Sequence, residues 1–274
     1  MIEIRVTKTA VDFWFDPSCP WAWMTSRWLD QVATLRNLEV NWHVMSLAVL
    51  NENATDLSEA YREFLPRALR YTRLVAAVAE MHGQTSVKPL YDALGTRINP
   101  GEREDVDAII AESLAEVGLP VSLAAFADSD EYDPQMRASH FDGIERVGQD
   151  VGTPVIAIGD YAFFGPVISP APKGEQAAAL WDGVVALASY DGFFENKRSR
   201  TRGPIFDQAP ALRAGRRFAL RTLRAARLSV LLDSPCCSTL RAGVSALVCV
   251  PASDTRTRKC GRACHSRARR RRQP

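Results

Sequence analysis

Cysteine is nearly missing from most of this 274-residue chain: Cys19 stands alone in the first 207 residues, and Cys236, Cys237, Cys249, Cys260 and Cys264 all follow. A body with one cysteine carries no disulfide framework, which is the usage of a reducing compartment. Histidine is scarce as well, and His82 and His140 have no neighbouring cysteine or acidic signature, so no metal is assigned to them. No uncharged apolar run reaches the ~18 residues that span a bilayer. Met1–Asp16 lacks the apolar stretch and small-residue cleavage site of a secretory leader, and no fixed-period repeat is visible. Together these absences argue against a stapled secreted module, a membrane protein or a solenoid. With 46% hydrophobic and 24% charged residues, they leave an ordinary globular protein, expected in the cytoplasm.

The formal charge of +2 conceals two opposite halves. Residues 1–207 hold 18 Lys and Arg against 30 Asp and Glu, whereas residues 208–274 hold 16 against 2. The second segment has no Glu, Trp or Tyr and one aromatic, Phe218, so it has poor means of building a core. It is expected to be an Arg-rich disordered tail. Fifteen Arg beside one Lys is what GC-rich DNA encodes in a shifted frame, so a frameshifted or read-through extension is the favoured origin. The alternative is a segment ending in Arg269–Arg272 that neutralises phosphates and binds nucleic acid non-specifically. Cys260, Cys264 and His265 make a poor zinc site, because four ligands at suitable spacing are wanted and nothing positions Cys236 or Cys237.

Within 1–207, Val11-Asp12-Phe13-Trp14-Phe15 alternates and is stopped by Asp16-Pro17-Ser18, a strand ending in a turn. From Cys19 to about Arg36 the pattern is helical, with Pro20 tolerated in the first turn. Val40–Leu47 alternates again and closes a βαβ unit, with Val40, Trp42 and Val44 on one face and Asn41, His43 and Met45 on the other. Residues 55–151 show only helical spacing, broken at Gly83, Asn99-Pro100-Gly101, Gly118-Leu119-Pro120 and Asp133-Pro134. Val155–Ile158 and Tyr161–Phe164 flank Gly159-Asp160 as a hairpin. A last helix, about Pro172–Tyr190, is expected to bury Leu180, Val184, Leu187 and Ala188. The order predicts an α/β protein with a thioredoxin-like fold, in which a helical domain (48–151) is inserted between the βαβ and ββα halves (1–47 and 152–207). Pro154 stands just before the third strand, where a cis Thr153–Pro154 bond is expected.

Cys19 opens a helix, where unpaired backbone N–H groups and the helix dipole favour thiolate over thiol, which makes it a candidate nucleophile rather than a packed inert cysteine. The run Phe13-Trp14-Phe15-Asp16-Pro17-Ser18-Cys19-Pro20-Trp21-Ala22-Trp23, with Thr153-Pro154 and the helical insertion, resembles the DsbA-like thioredoxin superfamily. The likeness is greater to the actinobacterial mycothiol-dependent nitroreductase branch, and it covers essentially all of 1–207. The two-thiol motif of that superfamily is Cys-Pro-Trp-Cys. This chain departs from it at Ala22, which removes the resolving thiol and leaves a one-thiol route.

The resemblance implies a thiol-dependent oxidoreductase without a tightly bound cofactor. A low-molecular-weight thiol, mycothiol, would serve as co-substrate, and a small electrophile or a protein disulfide as substrate; nitro reduction and homodimer formation are implied on the same footing. Pro20, Trp21 and Ala22 are the remaining motif positions, with Trp21 expected to face outward as a substrate wall. Thr153 is expected to present its backbone to an extended ligand beside Pro154. Asn51 and Tyr61 are candidate substrate contacts where the insertion meets the sheet. His43 is read as a packed histidine rather than a base. A kappa-class glutathione-transferase-like or isomerase-like enzyme, which also works without a second cysteine, and a non-catalytic binding protein remain open at this point.

Overall fold

A computed structural model describes residues 8–207 of the chain. Strand β1 (Thr9–Phe15) runs parallel to β2 (Leu38–Val44), and helix α1 (Pro20–Leu35) makes the crossover. Strands β3 (Val155–Ile158) and β4 (Tyr161–Phe164) add antiparallel on the other side, giving the order β2-β1-β3-β4. Between β2 and β3 in the chain lie α2 (Leu47–Leu50), α3 (Glu59–His82), α4 (Val87–Ile98), α5 (Val106–Glu116) and α6 (Asp133–Glu145), and helix α7 (Gly174–Ala188) closes the series. Two 3₁₀ segments, Gln84–Ser86 and Val121–Asp128, fall in the helical block, which contains no strand. This is an α/β architecture of the thioredoxin type.

β1 is central and covered on both faces, which is why it reads as a nearly continuous apolar run rather than a clean alternation. Val11, Phe13 and Phe15 pack into the larger core with α1 and α4, while Trp14 points the other way into a cluster with Met45, Ile144 and Val155. α6 lies directly on Trp14: a Cβ added to Gly143 would sit 2.7 Å from its indole. The register sets Phe13 opposite both Trp42 and Ile156, fixing which face each strand gives to the core.

Two expectations need correction. β2 stops at Val44, although the alternation continues through Met45 and Leu47, because the Ser46 side chain takes the Val49 amide and starts α2. On α7 the buried positions are Ala177, Ala178, Trp181 and Ala188, whereas Leu187 is exposed. Small residues at 177 and 178 let α7 close on α1. There the Trp28 indole N–H donates to the Ala177 carbonyl at 3.0 Å, and the Trp28 and Trp181 rings lie 6.0 Å apart. Trp181 therefore anchors the inner face, with Leu180 and Val184 partly buried against the core beside it and Leu187 alone of the expected stripe exposed.

The Thr153–Pro154 bond is cis, as expected, and Gly165–Pro166 and Ser169–Pro170 are cis as well. Among the described residues no helix is long and apolar enough to cross a membrane. The expectations for residues 208–274, including Cys236, Cys237, Cys249, Cys260, Cys264 and the terminal arginines, lie outside the described residues, as do residues 1–7.

Candidate functional site

The site is assembled at the carboxyl end of β1, where Asp16-Pro17-Ser18 turns the chain into α1. One Asp16 carboxylate oxygen accepts the Ser18 N–H at 2.8 Å, and the Asp16 carbonyl accepts the Cys19 N–H at 3.0 Å. That turn delivers Cys19 to the N-cap of α1 in an extended conformation, with Pro20 at the first helical position, where its missing N–H costs nothing. The Cys19 sulfur accepts the Ala22 N–H at 3.5 Å and, as a thiol, donates to the Thr153 carbonyl at 3.4 Å. Cys19 is buried, with 1% of its surface exposed. A helix N-terminus therefore supplies an N–H to the sulfur, an arrangement that stabilises negative charge there.

Ala22 is fully buried beside that sulfur, so the position a second thiol would take is occupied by a methyl group. Thr153 meets Cys19 through its backbone, and its hydroxyl has no hydrogen-bond partner. The backbone of this segment is the part that touches the sulfur.

Trp21 does not face outward. It is 4% exposed, and the Arg200 guanidinium lies 5.0 Å from its ring centroid. The chain that follows α7 returns across the start of α1 and covers the indole, a non-local contact that helix geometry alone does not reveal. Trp23 is buried as well, with its ring against Gly95, the Arg27 guanidinium 4.0 Å from its centroid and Tyr91 at 5.8 Å.

Asn51 and Tyr61 come together. The Asn51 amide donates to the Leu47 carbonyl at 2.8 Å and reaches the Tyr61 hydroxyl at 3.5 Å, and Tyr61 stacks on Phe64. Both are tied to the cysteine turn by a residue that sequence reasoning treated as a mere strand stop. The second Asp16 carboxylate oxygen accepts the Leu47 N–H at 2.8 Å, so Asp16 holds the Cys19 turn and the start of α2 at once. Its carboxyl is fully buried, and burial raises its pKa to about 6 against the pull of its N–H donors. The signal available in the sequence was an Asp two residues before Ser18 in a Pro-containing turn, the pattern of a side chain bonding its own backbone.

The described histidines occupy packed or helix-end positions. His43 stacks on Trp14 at 4.8 Å and pairs its Nε2 with Asp12 at 2.9 Å. His140 is buried and presents Nδ1 to the Ser46 N–H at 3.4 Å; burial, aided by the nearby Arg137 charge, holds its pKa down at about 4. His82 ends α3. No group of three His, Cys, Asp or Glu residues able to hold a metal occurs among the described residues.

A protein-family profile, that of the Rv2466c-like family described as mycothiol-dependent nitroreductase Rv2466c, matches residues 18–198, from the residue before the N-cap cysteine through α7. The chain belongs to this family. The Rv2466c-like chain is thus a thiol-dependent oxidoreductase, in keeping with a cysteine at the N-cap of α1. It is 28% identical over 203 residues to the uncharacterized protein Rv2286c of Mycobacterium tuberculosis (strain ATCC 25618 / H37Rv), a match spanning 72% of this chain and 85% of that one. Solved structures resemble it more distantly. A 2-hydroxychromene-2-carboxylate isomerase aligns at 18% identity and TM-score 0.45, over 65% of this chain and 95% of that one. The probable DsbA oxidoreductase SCO1869 from Streptomyces coelicolor aligns at 15% and 0.44, over 71% and 94%.

Proposed function

We propose that this chain is a one-thiol reductase in which Cys19 is the nucleophile and mycothiol the electron donor. The observation that carries the reading is the pairing of an N-cap sulfur, with the Ala22 N–H aimed at it, and a methyl group where a resolving thiol would stand. Membership of a family described as mycothiol-dependent supports this choice of thiol.

For a disulfide substrate the Cys19 thiolate attacks one sulfur, a Cys19 mixed disulfide forms, and the other sulfur leaves as thiolate. A mycothiol thiolate then cleaves the mixed disulfide and regenerates Cys19. With mycothiol as the first partner as well, two mycothiols become one mycothiol disulfide, and the two electrons and two protons released reduce the electrophile. For a nitro group that balance yields the nitroso compound and one water. Thr153 presents its backbone carbonyl beside the sulfur, and a ligand docking next to Pro154 would pair with that backbone as a strand does. Pro20 and Trp21 shape the wall around the sulfur, and Asn51 and Tyr61 offer an amide and a phenol at the far side of the turn. In this reading residues 1–47 and 152–207 form the thioredoxin-like domain and 48–151 the inserted helical domain. The protein works in the cytoplasm, where small thiols are kept reduced.

The test is mycothiol-dependent turnover of a nitroaromatic by the full chain, with the Cys19 peptide followed by mass spectrometry after exposure to mycothiol disulfide. A mycothiol adduct on Cys19 that excess thiol reverses, together with loss of turnover in Cys19→Ser, is the expected result. Retention of substantial turnover by Cys19→Ser without any adduct would overturn the reading in favour of a transferase-like or isomerase-like site that activates a bound thiol.

A further inference from the structure

Along α1, beginning one helical turn past Cys19, lies a cavity of about 390 Å³, within the size range of small-ligand sites. Its walls come from α1, the end of α4, the loop before α7 and Asp207. Two hydrogen bonds link the elements of these walls to the Cys19 turn. The Trp23 N–H donates to the Cys19 carbonyl at 3.0 Å, and the Asn99 amide, just past the end of α4, donates to the Pro17 carbonyl at 3.1 Å. Along α1, Trp23, Arg27 and Asp30 lie on one stripe with Cys19. At 1.5 Å per residue, they begin about 6 Å and end about 16 Å down the helix axis from it.

The charge of the cavity is informative. Arg27 is paired with Asp30 and Asp92, Lys88 with the same two carboxylates, and Lys173 with Asp207 at 2.7 Å. The cations and anions balance, so the cavity has no preference for a phosphate or a carboxylate. It offers instead alternating donors and acceptors, with the exposed Gln31 and Thr96 able to act as both and Met24, Pro100 and Pro172 supplying apolar surface. Such a lining suits a neutral, polyhydroxylated ligand whose hydroxyls bridge paired charges and whose C–H faces meet the apolar patches.

We propose that this cavity is the subsite for the sugar-like portion of the co-substrate thiol. This rests on the reading that mycothiol, an N-acetylcysteinyl amide of glucosaminyl-inositol, reacts at Cys19. The sulfur-bearing end sits at the α1 N-cap, and the two uncharged hydroxylated rings extend along the Trp23–Asp30 stripe into the cavity. The cavity, not the cysteine turn, then distinguishes mycothiol from simple thiols.

The experiment compares two disulfides of the same cysteinyl group, mycothiol disulfide and N,N′-diacetylcystine. The full chain is treated with each, and the rate of mixed-disulfide formation is read on the tryptic peptide that carries Cys19 alone. The double variant Gln31→Ala/Lys173→Ala removes two polar arms that are exposed and far from the core. Loss of about two hydrogen bonds predicts a rate with mycothiol disulfide about tenfold lower, and a rate with diacetylcystine within about twofold of the unmodified chain. Thr96→Trp, which fills the cavity from α4, is expected to show the same selective loss. Equal losses with both disulfides, or no loss with either, would overturn the subsite while leaving Cys19 as the nucleophile. An unmodified chain whose Cys19 reacts with neither disulfide would remove the nucleophile reading, and the subsite with it.

Discussion

Asp16 and His140 hold consecutive backbone amides at the start of α2: a buried carboxylate oxygen takes the Leu47 N–H at 2.8 Å, and a buried imidazole Nδ1 takes the Ser46 N–H at 3.4 Å. Their titrations are displaced in opposite senses. The Asp16 pKa is raised from 3.8 to about 6 in the folded protein, so between those values the native state holds more protons than the unfolded chain, and stability falls as pH rises. The His140 pKa is lowered from 6.5 to about 4, so between those values the unfolded chain holds more protons, and stability falls as pH drops. Each displacement corresponds to roughly 3 kcal/mol, and the two slopes oppose each other from about pH 4 to 6.

Removing one partner should therefore expose the other. Relative to the unmodified chain, Asp16→Asn should lose stability on acidification from pH 6 to 4, and His140→Asn should gain it, each by up to roughly 3 kcal/mol. Urea unfolding at several pH values measures both. Parallel pH profiles for all three proteins would show that the native pKa values of Asp16 and His140 are ordinary.

Two glycines in helices make opposite predictions. Gly95 lies within α4 with Trp23 pressed on it, and an added Cβ would clash with two of its ring carbons. The ring cannot retreat freely, since Arg27 lies over it and Tyr91 meets it at 5.8 Å. Overpacking of this kind costs about 1–3 kcal/mol, more than the ~1 kcal/mol that alanine gains over glycine in a helix. Gly95→Ala is expected to lower the denaturation midpoint. Gly183 in α7 has nothing within 4 Å of an added Cβ, so Gly183→Ala keeps the helix-propensity gain and should raise it.

The Asn51–Tyr61 pair separates stability from activity. Its contact, at 3.5 Å, is at the weak limit of a hydrogen bond, whereas the Tyr61 ring is buried and stacked on Phe64. Tyr61→Phe keeps the ring, so its unfolding midpoint should shift by less than about 1 kcal/mol equivalent. Thiol-dependent turnover should fall if the hydroxyl contacts substrate, with KM rising more than kcat falls. Unchanged kinetics in Tyr61→Phe and Asn51→Ala would take the pair out of the site.

What could be read from the residues divides along local and non-local lines. The hairpin Val155–Ile158 and Tyr161–Phe164 was legible to the residue, because Gly159 adopts a positive φ of 61° that the two-residue turn demands. The N-cap position of Cys19 was legible for the same reason: the strand, the Asp-Pro-Ser turn and Pro20 are contiguous. Trp21 was misjudged because the chain that covers it lies about 180 residues away. Asp16 was passed over because its second acceptor bond goes to Leu47, across a whole βαβ crossover. The end of β2 was misplaced because a cap at Ser46 outweighed an alternation that ran on past Val44.

The most direct test of the one-thiol mechanism restores the missing sulfur. Ala22 is fully buried and its N–H already points at the Cys19 sulfur, so Ala22→Cys adds one atom next to the nucleophile in a Cys-Pro-Trp-Cys spacing. Under oxidising conditions the variant should close a disulfide between positions 19 and 22, detected as the loss of two hydrogens in the tryptic peptide bearing both sulfurs. Once that bond can form, the Cys19 mixed disulfide is cleaved internally faster than an external thiol can reach it. The variant's mycothiol adduct should therefore be transient where that of the unmodified chain persists. A persistent adduct on Cys19 in Ala22→Cys, with no internal disulfide, would mean that the two sulfurs cannot approach and that Ala22 does not occupy the resolving position.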